Sequence, residues 1–502
     1  MLDDIGNRSI SAFLWGAGGT VLRICIQVIS QIILARILGP EQFGLFATGL
    51  VVIFFANLFA DAGLAYGLIR RPVARESEIR FVFTWHILIS GAVALLLIWL
   101  APRIAAAFGD ARLANIIGWL ALSSVITAIG ATATSLLRRN LEFRIYNLAV
   151  VASYGIAFLC VGIPLALAGF AAMSLVAAFL TQAFIVSAVM YATARHAVRP
   201  LLWHPEAAEI VGFGATVFIT NLINWIMSSL DRAIVSAVLG ATSVGLYNTI
   251  ANLVNVPAQS ALATLQPVFY AASSRVQDNA ESLRSGLKAM LGAVALFVTP
   301  VFAAVAVAAH TVVITFLGAK WIGGDAVLSP MALAVPAILM MGLSTPVLWA
   351  AGYPRREYQV QIPMTLLWIA ICYAAAKSGS LSIVGWTVAG LFYIRAISIV
   401  YFTIVAVELH AKDMLAVFAP GVVVSALTAA TAYVADQALG GAGLAELPRL
   451  VLIIAACGVA MLGGIALIRN RLPRDLKALL SRLGMRLPSG ALRTAYARVL
   501  GT

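Results

Sequence analysis

The sequence predicts an all-α integral membrane protein of about fourteen transmembrane helices with no soluble domain. Three observations predict it. Of the 502 residues, 62% are hydrophobic and only 11% charged, where a soluble domain keeps roughly a quarter of its residues charged to wet its surface. Apolar runs of about 20 residues, the length that crosses the hydrocarbon core, recur from one end of the chain to the other. The cations between those runs fall almost entirely in alternate loops, the pattern that orients helices in a membrane.

Each residue of a helix rises about 1.5 Å, so the spans are read from run length. In the first half they lie near 12–37, 44–69, 81–101, 113–137, 148–169 and 171–194. In the second half they lie near 211–239, 244–272, 287–309, 326–350, 359–376, 384–407, 415–437 and 448–468. The first run is much longer than a signal-peptide core and leads directly into further spans, so it is read as an uncleaved helix.

With the N-terminus inside, the inner segments carry 24 Lys and Arg residues and the outer loops 5. A missed or invented helix would destroy that alternation, so both termini are predicted to be cytoplasmic. The net charge of +13 is scattered in short clusters rather than gathered on a domain, which speaks against a nucleic-acid partner. Cys25, Cys160, Cys372 and Cys457 all lie within apolar runs without metal-ligand spacing. They are read as small core residues, with no disulfide framework, metal site or cofactor expected.

The junction of the first two spans repeats at the seventh and eighth. "ILARILGPEQFGLFAT" aligns with "IVSAVLGATSVGLYNT" at an offset of 201 residues, matching Gly39 to Gly240, Gly44 to Gly245 and Thr48 to Thr249. Gly39 and Gly240 are placed to end a helix with positive φ at a very short outer turn. The copies are offset by six helices, an even number that preserves orientation, so the repeat implies two parallel six-helix lobes with substrate expected between them. The resulting organisation is an N-lobe (1–194), a cytoplasmic linker (195–210), a C-lobe (211–408), a final helix pair (409–468) and a tail (469–502). In the tail, Leu472, Leu476, Leu479, Leu480, Leu483 and Leu487 recur at helical spacing opposite a basic face, which predicts a helix lying on the anionic inner leaflet.

No GxxxxGK[ST] phosphate loop is present, so transport would not be powered by ATP hydrolysis in this chain. The outer loops are too short for the acidic sites of a membrane glycosyltransferase, and the chain is expected not to be an enzyme. Ionisable groups inside spans are costly in lipid and therefore mark cavities or partners. They are Arg23, Asp61, Asp231, Arg232 and Arg395, with Arg36 near enough to an outer end to snorkel. Arg23 and Asp61 differ in depth by about 5 Å, so they form either a structural ion pair or part of a cavity wall. Asp231 and Arg232 project about 100° apart and cannot both face one partner. Arg395 has no acid at matching depth and is the leading candidate to meet an anionic substrate. Asn248, Asn252, Asn255 and Gln259 form one polar stripe, read either as interhelical glue or as the wall of a wet cavity.

The stretch from "SISAFLWGAGG" through "ADAGLAYGLIRRP", together with "NLINWIMSSLDRAIVSAVLGATSVGLYNTIANL", resembles the polysaccharide exporter family of the multidrug, oligosaccharidyl-lipid and polysaccharide exporter superfamily. The resemblance implies a flippase for a polyprenyl-diphosphate-linked oligosaccharide, working by alternating access in a bacterial inner membrane for exopolysaccharide, O-antigen or capsule synthesis. It implies Arg23, Arg36, Arg232 and Arg395 as contacts for the anion, with Asp61 and Asp231 as ion-pair partners or proton carriers. Expected partners are the lipid-linked substrate, membrane lipids, and a polysaccharide polymerase and co-polymerase. A multidrug or cation antiporter of the same superfamily and a membrane glycosyltransferase or polymerase stand as alternatives.

Overall fold

The computed structural model describes residues 25–61, 75–139, 142–276 and 279–477. Helices make up nearly all of these residues, and no strand occurs among them. Twelve of the described helices are long and apolar enough to cross a membrane. The first half of the expected first span, with Arg23, lies outside the described residues.

In chain order the helices are α1 (Cys25–Leu38), α2 (Pro40–Asp61), α3 (Glu76–Ala107), α4 (Arg112–Arg139), α5 (Ile145–Leu167), α6 (Ala172–Thr193) and α7 (Ala207–Arg275). They continue with α8 (Ala280–Val307), α9 (Asp325–Ala350), α10 (Pro354–Lys377), α11 (Leu381–Ala406), α12 (Ala411–Gly441) and α13 (Glu446–Ile468). The expected seventh and eighth spans are the two limbs of α7, separated by a single non-helical residue, Gly240, at φ 82° and ψ 179°. Gly39, its counterpart in the repeat, has φ 80°. Positive φ at both positions is open to glycine at little steric cost, which is why the turn compresses to one residue.

Two helices widen into a π-helical stretch, α5 at Ile156–Gly162 and α8 at Val294–Val298, each just ahead of a proline, Pro164 and Pro300. Proline lacks the N–H of the ladder and crowds the carbonyl four residues back, and the wider turn accommodates it within a continuous helix. The segment expected as the longest outer loop, 310–325, is itself structured. A short helix, Ala309–Leu317, continues from α8, and the following turn buries Trp321 completely.

Contacts divide the chain into two compact units, 1–249 and 250–502, with the division inside α7. Without water to drive them together, helices in lipid associate through close packing of small residues. In the first unit α4 packs between α3 and α6, and a Cβ added at Gly130 of α4 would lie 2.6 Å from the Ser187 backbone of α6. In the second unit α9 is the most enclosed helix and packs along α11. There α12 crosses α8 so closely that a Cβ on Gly421 would lie 2.4 Å from the Ala295 carbonyl oxygen.

Two sequence expectations are corrected. Cys372 and Cys457 are buried, but Cys25 and Cys160 are exposed on the helix surface rather than in the core, because an apolar run in lipid does not distinguish inward from outward faces. The described start of the tail is packed on protein. Leu472 and Leu476 bury against Leu296, Val424 and Ile465, and Asp475 accepts a hydrogen bond from Ser285 at 2.7 Å. Residues 478–502, which carry the rest of the expected surface helix, lie outside the described residues.

Candidate functional site

The first unit holds a cavity of about 440 Å³ within its membrane-spanning helices, whose largely apolar wall, with Val150, Phe179 and Val186, carries several polar groups. Four helices contribute its wall: Asp61 from α2; Thr127, Thr134 and Ser135 from α4; Tyr146 from α5; and Gln182 and Ser187 from α6. Sequence placed Asp61 at a depth within reach of Arg23, which lies outside the described residues; among the described residues Asp61 meets His86 of α3, whose Nε2 lies 3.1 Å from Asp61 Oδ1. His86 is 2% exposed, whereas Asp61 is 40% exposed toward the cavity it lines. Sequence reasoning passed over His86. Counting about 1.5 Å per residue puts it some 7 Å to the cytoplasmic side of its span's midpoint, the same depth as Asp61, so the signal was there in the register.

At the outer end of the same unit the two copies of the repeat meet each other. A Cβ added to Gly44 would lie 1.7 Å from the Ala241 carbonyl oxygen, and one added to Gly245 would lie 1.8 Å from the Pro40 carbonyl oxygen. The equivalent glycines therefore let α2 and the second limb of α7 cross backbone on backbone. Beside the crossing, the Thr48 and Ser236 hydroxyls share a buried hydrogen bond of 2.5 Å. Further along α2, the Phe55 ring meets Trp225 and the Phe59 ring meets Phe218, both on the first limb of α7, with ring centroids 5.0 and 5.2 Å apart.

Asp231 and Arg232 part company as their spacing requires. The Asp231 carboxylate accepts the Tyr247 hydroxyl at 2.6 Å and the Arg232 backbone N–H at 2.8 Å, which makes it a brace between the two limbs of α7. The Arg232 side chain is half-buried and has no hydrogen-bond or ion-pair partner among the described residues. Arg36, near the end of α1, is exposed and engaged in a contact of its own. On α7, Tyr247, Ile250, Ala251, Val254 and Ala258 form the buried face. Asn248, Asn252 and Asn255 are half-buried to one side of it and Gln259 is exposed. None of these four side chains bonds to a described residue, and Asn255 Oδ1 is buried without a partner, so the stripe does not act as glue within the described helices.

In the second unit Arg395 lies half-buried on α11, with its Nε buried and unpartnered. Sequence gave it no acid at its depth; the structure brings Glu357 of the adjoining α10 within its electrostatic reach, though not into an ion pair. Depth counted from Cα positions misses this because electrostatic influence between long side chains reaches beyond a matched level. Glu357 is occupied otherwise, accepting from Trp349 Nε1 at 2.8 Å and Gln361 Nε2 at 2.6 Å. Arg449, counted from sequence among the outer-loop cations, is largely buried and paired with Asp436 at 2.9 Å. Asp436 also accepts from Thr311 at 2.7 Å, so this pair ties the last two helices to the end of α8.

Comparison with known proteins follows the same lines. The family model described as "Polysaccharide biosynthesis protein" matches residues 33–324. Lipopolysaccharide biosynthesis protein WzxC of Escherichia coli is 26% identical over 62% of this chain and 64% of its own length. Succinoglycan biosynthesis transport protein ExoT of Rhizobium meliloti is 24% identical over 71% of this chain and 70% of its own. The match to WzxC thus spans just under two thirds of that relative. Among solved structures, lipid II flippase MurJ in an inward closed conformation superposes with a TM-score of 0.70 over 92% of this chain and 99% of its own, at 14% identity. That likeness establishes the fold.

Proposed function

The chain belongs to the polysaccharide biosynthesis protein family, and from that premise we propose that it is a flippase for a polyprenyl-diphosphate-linked oligosaccharide in a bacterial inner membrane. It serves exopolysaccharide, O-antigen or capsule synthesis and works by alternating access rather than as an enzyme. The full chain carries fourteen spans with both termini in the cytoplasm, the topology that the alternation of cations supports.

One observation carries the assignment of charge to cargo. Arg232 has no partner among the described residues and Arg395 has a buried, unpartnered Nε, although an unpaired guanidinium at membrane depth is expensive. A diphosphate repays that cost, because two phosphate groups present the planar acceptor pairs that an Arg fork engages. Arg23 and Arg36 add to the cationic lining in this reading. Asn248, Asn252, Asn255 and Gln259, with free donors and acceptors, meet sugar hydroxyls. The relatives WzxC and ExoT, named for lipopolysaccharide biosynthesis and succinoglycan transport, support the same class of cargo. A polymerase and co-polymerase are the natural receivers of the flipped unit.

Arg395→Ala is expected to abolish polysaccharide export while the protein remains at normal level in the membrane, and Arg395→Lys to restore it only in part. Undiminished export from Arg395→Ala overturns the assignment of the anion to this residue.

A further inference from the structure

A second cavity of the first unit, about 520 Å³, shares no lining residue with the one at Asp61, and every side chain lining it is aliphatic or aromatic. We propose that this groove seats an acyl chain of one anionic glycerophospholipid of the cytoplasmic leaflet, with the phosphate of its headgroup on Arg80 and Arg199. The leaflet is the one to which cation alternation assigns the 195–210 linker. The site is independent of what the protein transports.

Helical spacing builds the groove. On α3, Phe81, Trp85 and Ile89 stand four residues apart and share one face, covering about 12 Å of helix. On the first limb of α7, Val211, Ala215 and Phe218 share a face in the same way, and the small Ala215 leaves a slot between its larger neighbours. Phe59 of α2 meets Phe218 at 5.2 Å and closes the deep end. The linker closes the other end, strapped to the start of α3. Arg80 Nε donates to the Arg199 carbonyl at 3.0 Å, Trp85 Nε1 donates to the Leu202 carbonyl at 3.1 Å, and the Leu201 N–H donates to Thr84 Oγ1 at 2.9 Å. Ser77 and His204 share a further bond of 3.1 Å. The groove therefore starts at the level of the linker and runs into the apolar span, the path that the chain of a lipid takes from its headgroup.

Two observations at the rim select the occupant. The linker turns Leu202 and Trp203 outward, 62% and 73% exposed, an arrangement costly in water and natural at the membrane interface, where tryptophan sits at headgroup level. The same rim carries cations with donors to spare. Arg80 spends two N–H groups on the carbonyls of Arg199 and Pro200, and neither it nor the exposed Arg199 has an acidic partner among the described residues. The acids at this end are placed otherwise: Glu78 is buried in the cap of α3, where it accepts the Arg75 N–H, Glu206 pairs with Arg75 at 3.5 Å, and Glu76 is exposed on the first turn. Guanidinium groups suit phosphate oxygens, and each arginine near an anionic headgroup is worth about fivefold in occupancy. An apolar groove with arginines at its headgroup end matches a lipid of net negative charge.

The full chain is placed in phosphatidylcholine nanodiscs containing a small fraction of phosphatidylglycerol with a photoreactive diazirine midway along one acyl chain, and the adducts are mapped by peptide mass spectrometry. Adducts are expected to concentrate on the peptides holding residues 81–89 and 211–218, and the same diazirine chain on phosphatidylcholine should label them at least about fivefold less. Arg199→Gln leaves the groove intact and should lower labelling by phosphatidylglycerol about fivefold without changing labelling by phosphatidylcholine. Ala215→Phe fills the slot and should abolish labelling there while adducts on other lipid-facing helices persist; if that variant does not reach the wild-type level in the membrane, Arg199→Gln decides. Equal labelling by the two headgroups, adducts spread evenly over the exposed helices, or unchanged labelling of Arg199→Gln overturns the proposal. Competition separates the remaining source of an anionic lipid. Unlabelled phosphatidylglycerol is expected to displace the probe; displacement by an equal amount of polyprenyl diphosphate, and not by phosphatidylglycerol, assigns the groove to a polyprenyl tail and overturns the phospholipid site.

Discussion

Replacing Gly245 by alanine tests whether the outer crossing of the repeat depends on backbone contact. The new methyl would lie 1.8 Å from the Pro40 carbonyl oxygen and 2.8 Å from the Gly44 nitrogen. Carbon and carbonyl oxygen approach no closer than about 3.3 Å even in weak hydrogen bonds, so the helices must separate by about 1.5 Å. Overpacking costs about 1–3 kcal/mol, and here the obstructing atoms are backbone that cannot turn aside, which places the cost near the upper end. At about 1.4 kcal/mol per decade, the crossed arrangement loses roughly a hundredfold in population. The reporter is the neighbouring hydroxyl pair at 2.5 Å: cysteines at Thr48 and Ser236 should form a disulfide readily in native membranes. Adding Gly245→Ala should slow that cross-link by at least tenfold at equal protein level. Unchanged cross-linking would refute the backbone-contact argument, and Gly44→Ala, whose methyl lies 1.7 Å from the Ala241 oxygen, should behave in the same way.

Two further outcomes are expected. Arg449→Ala leaves Asp436, only 15% exposed, without its partner, and breaking such a pair costs about 3 kcal/mol or more; a marked fall in thermal stability is expected with cargo selectivity unchanged, and an unaltered melting temperature would show the pair to be incidental. His196, held by ring contacts with Phe83 and Tyr191, has its pKa pushed down by burial, against a smaller opposing effect of its bond to the Ala197 carbonyl. A folded histidine that resists protonation contributes stability that is complete above the unfolded value of about 6.5 and declines as pH falls below it. Proteolysis of the 195–204 linker should therefore quicken between pH 7.5 and 5.5, and His196→Phe, which keeps the ring contacts, should remove that dependence.

Much of this protein is determined by sequence alone, because the bilayer imposes one requirement at a time. Run length dictates that the backbone crosses as helix, and cation alternation supplies the expectation of which way. Glycine at 39 and 240 foretells two turns of positive φ, which the structure has. Depth along a helix is also legible, since rise per residue is constant. What depth leaves open is azimuth, and the site is decided by azimuth. Nothing in the sequence paired Asp61 with His86, and only the packing of α2 on α3 brings the two together. Asp231 and Arg232 are adjacent in sequence, yet one is bound to Tyr247 and the other free among the described residues. Gly44 and Gly245 read as one repeated letter in a motif; that they touch each other follows only from the crossing of their helices. In lipid an apolar side chain is at home facing either the bilayer or its neighbours, so hydrophobicity carries no signal for which face turns inward. The tertiary structure supplies it through close packing of small residues and the pairing of buried polar groups.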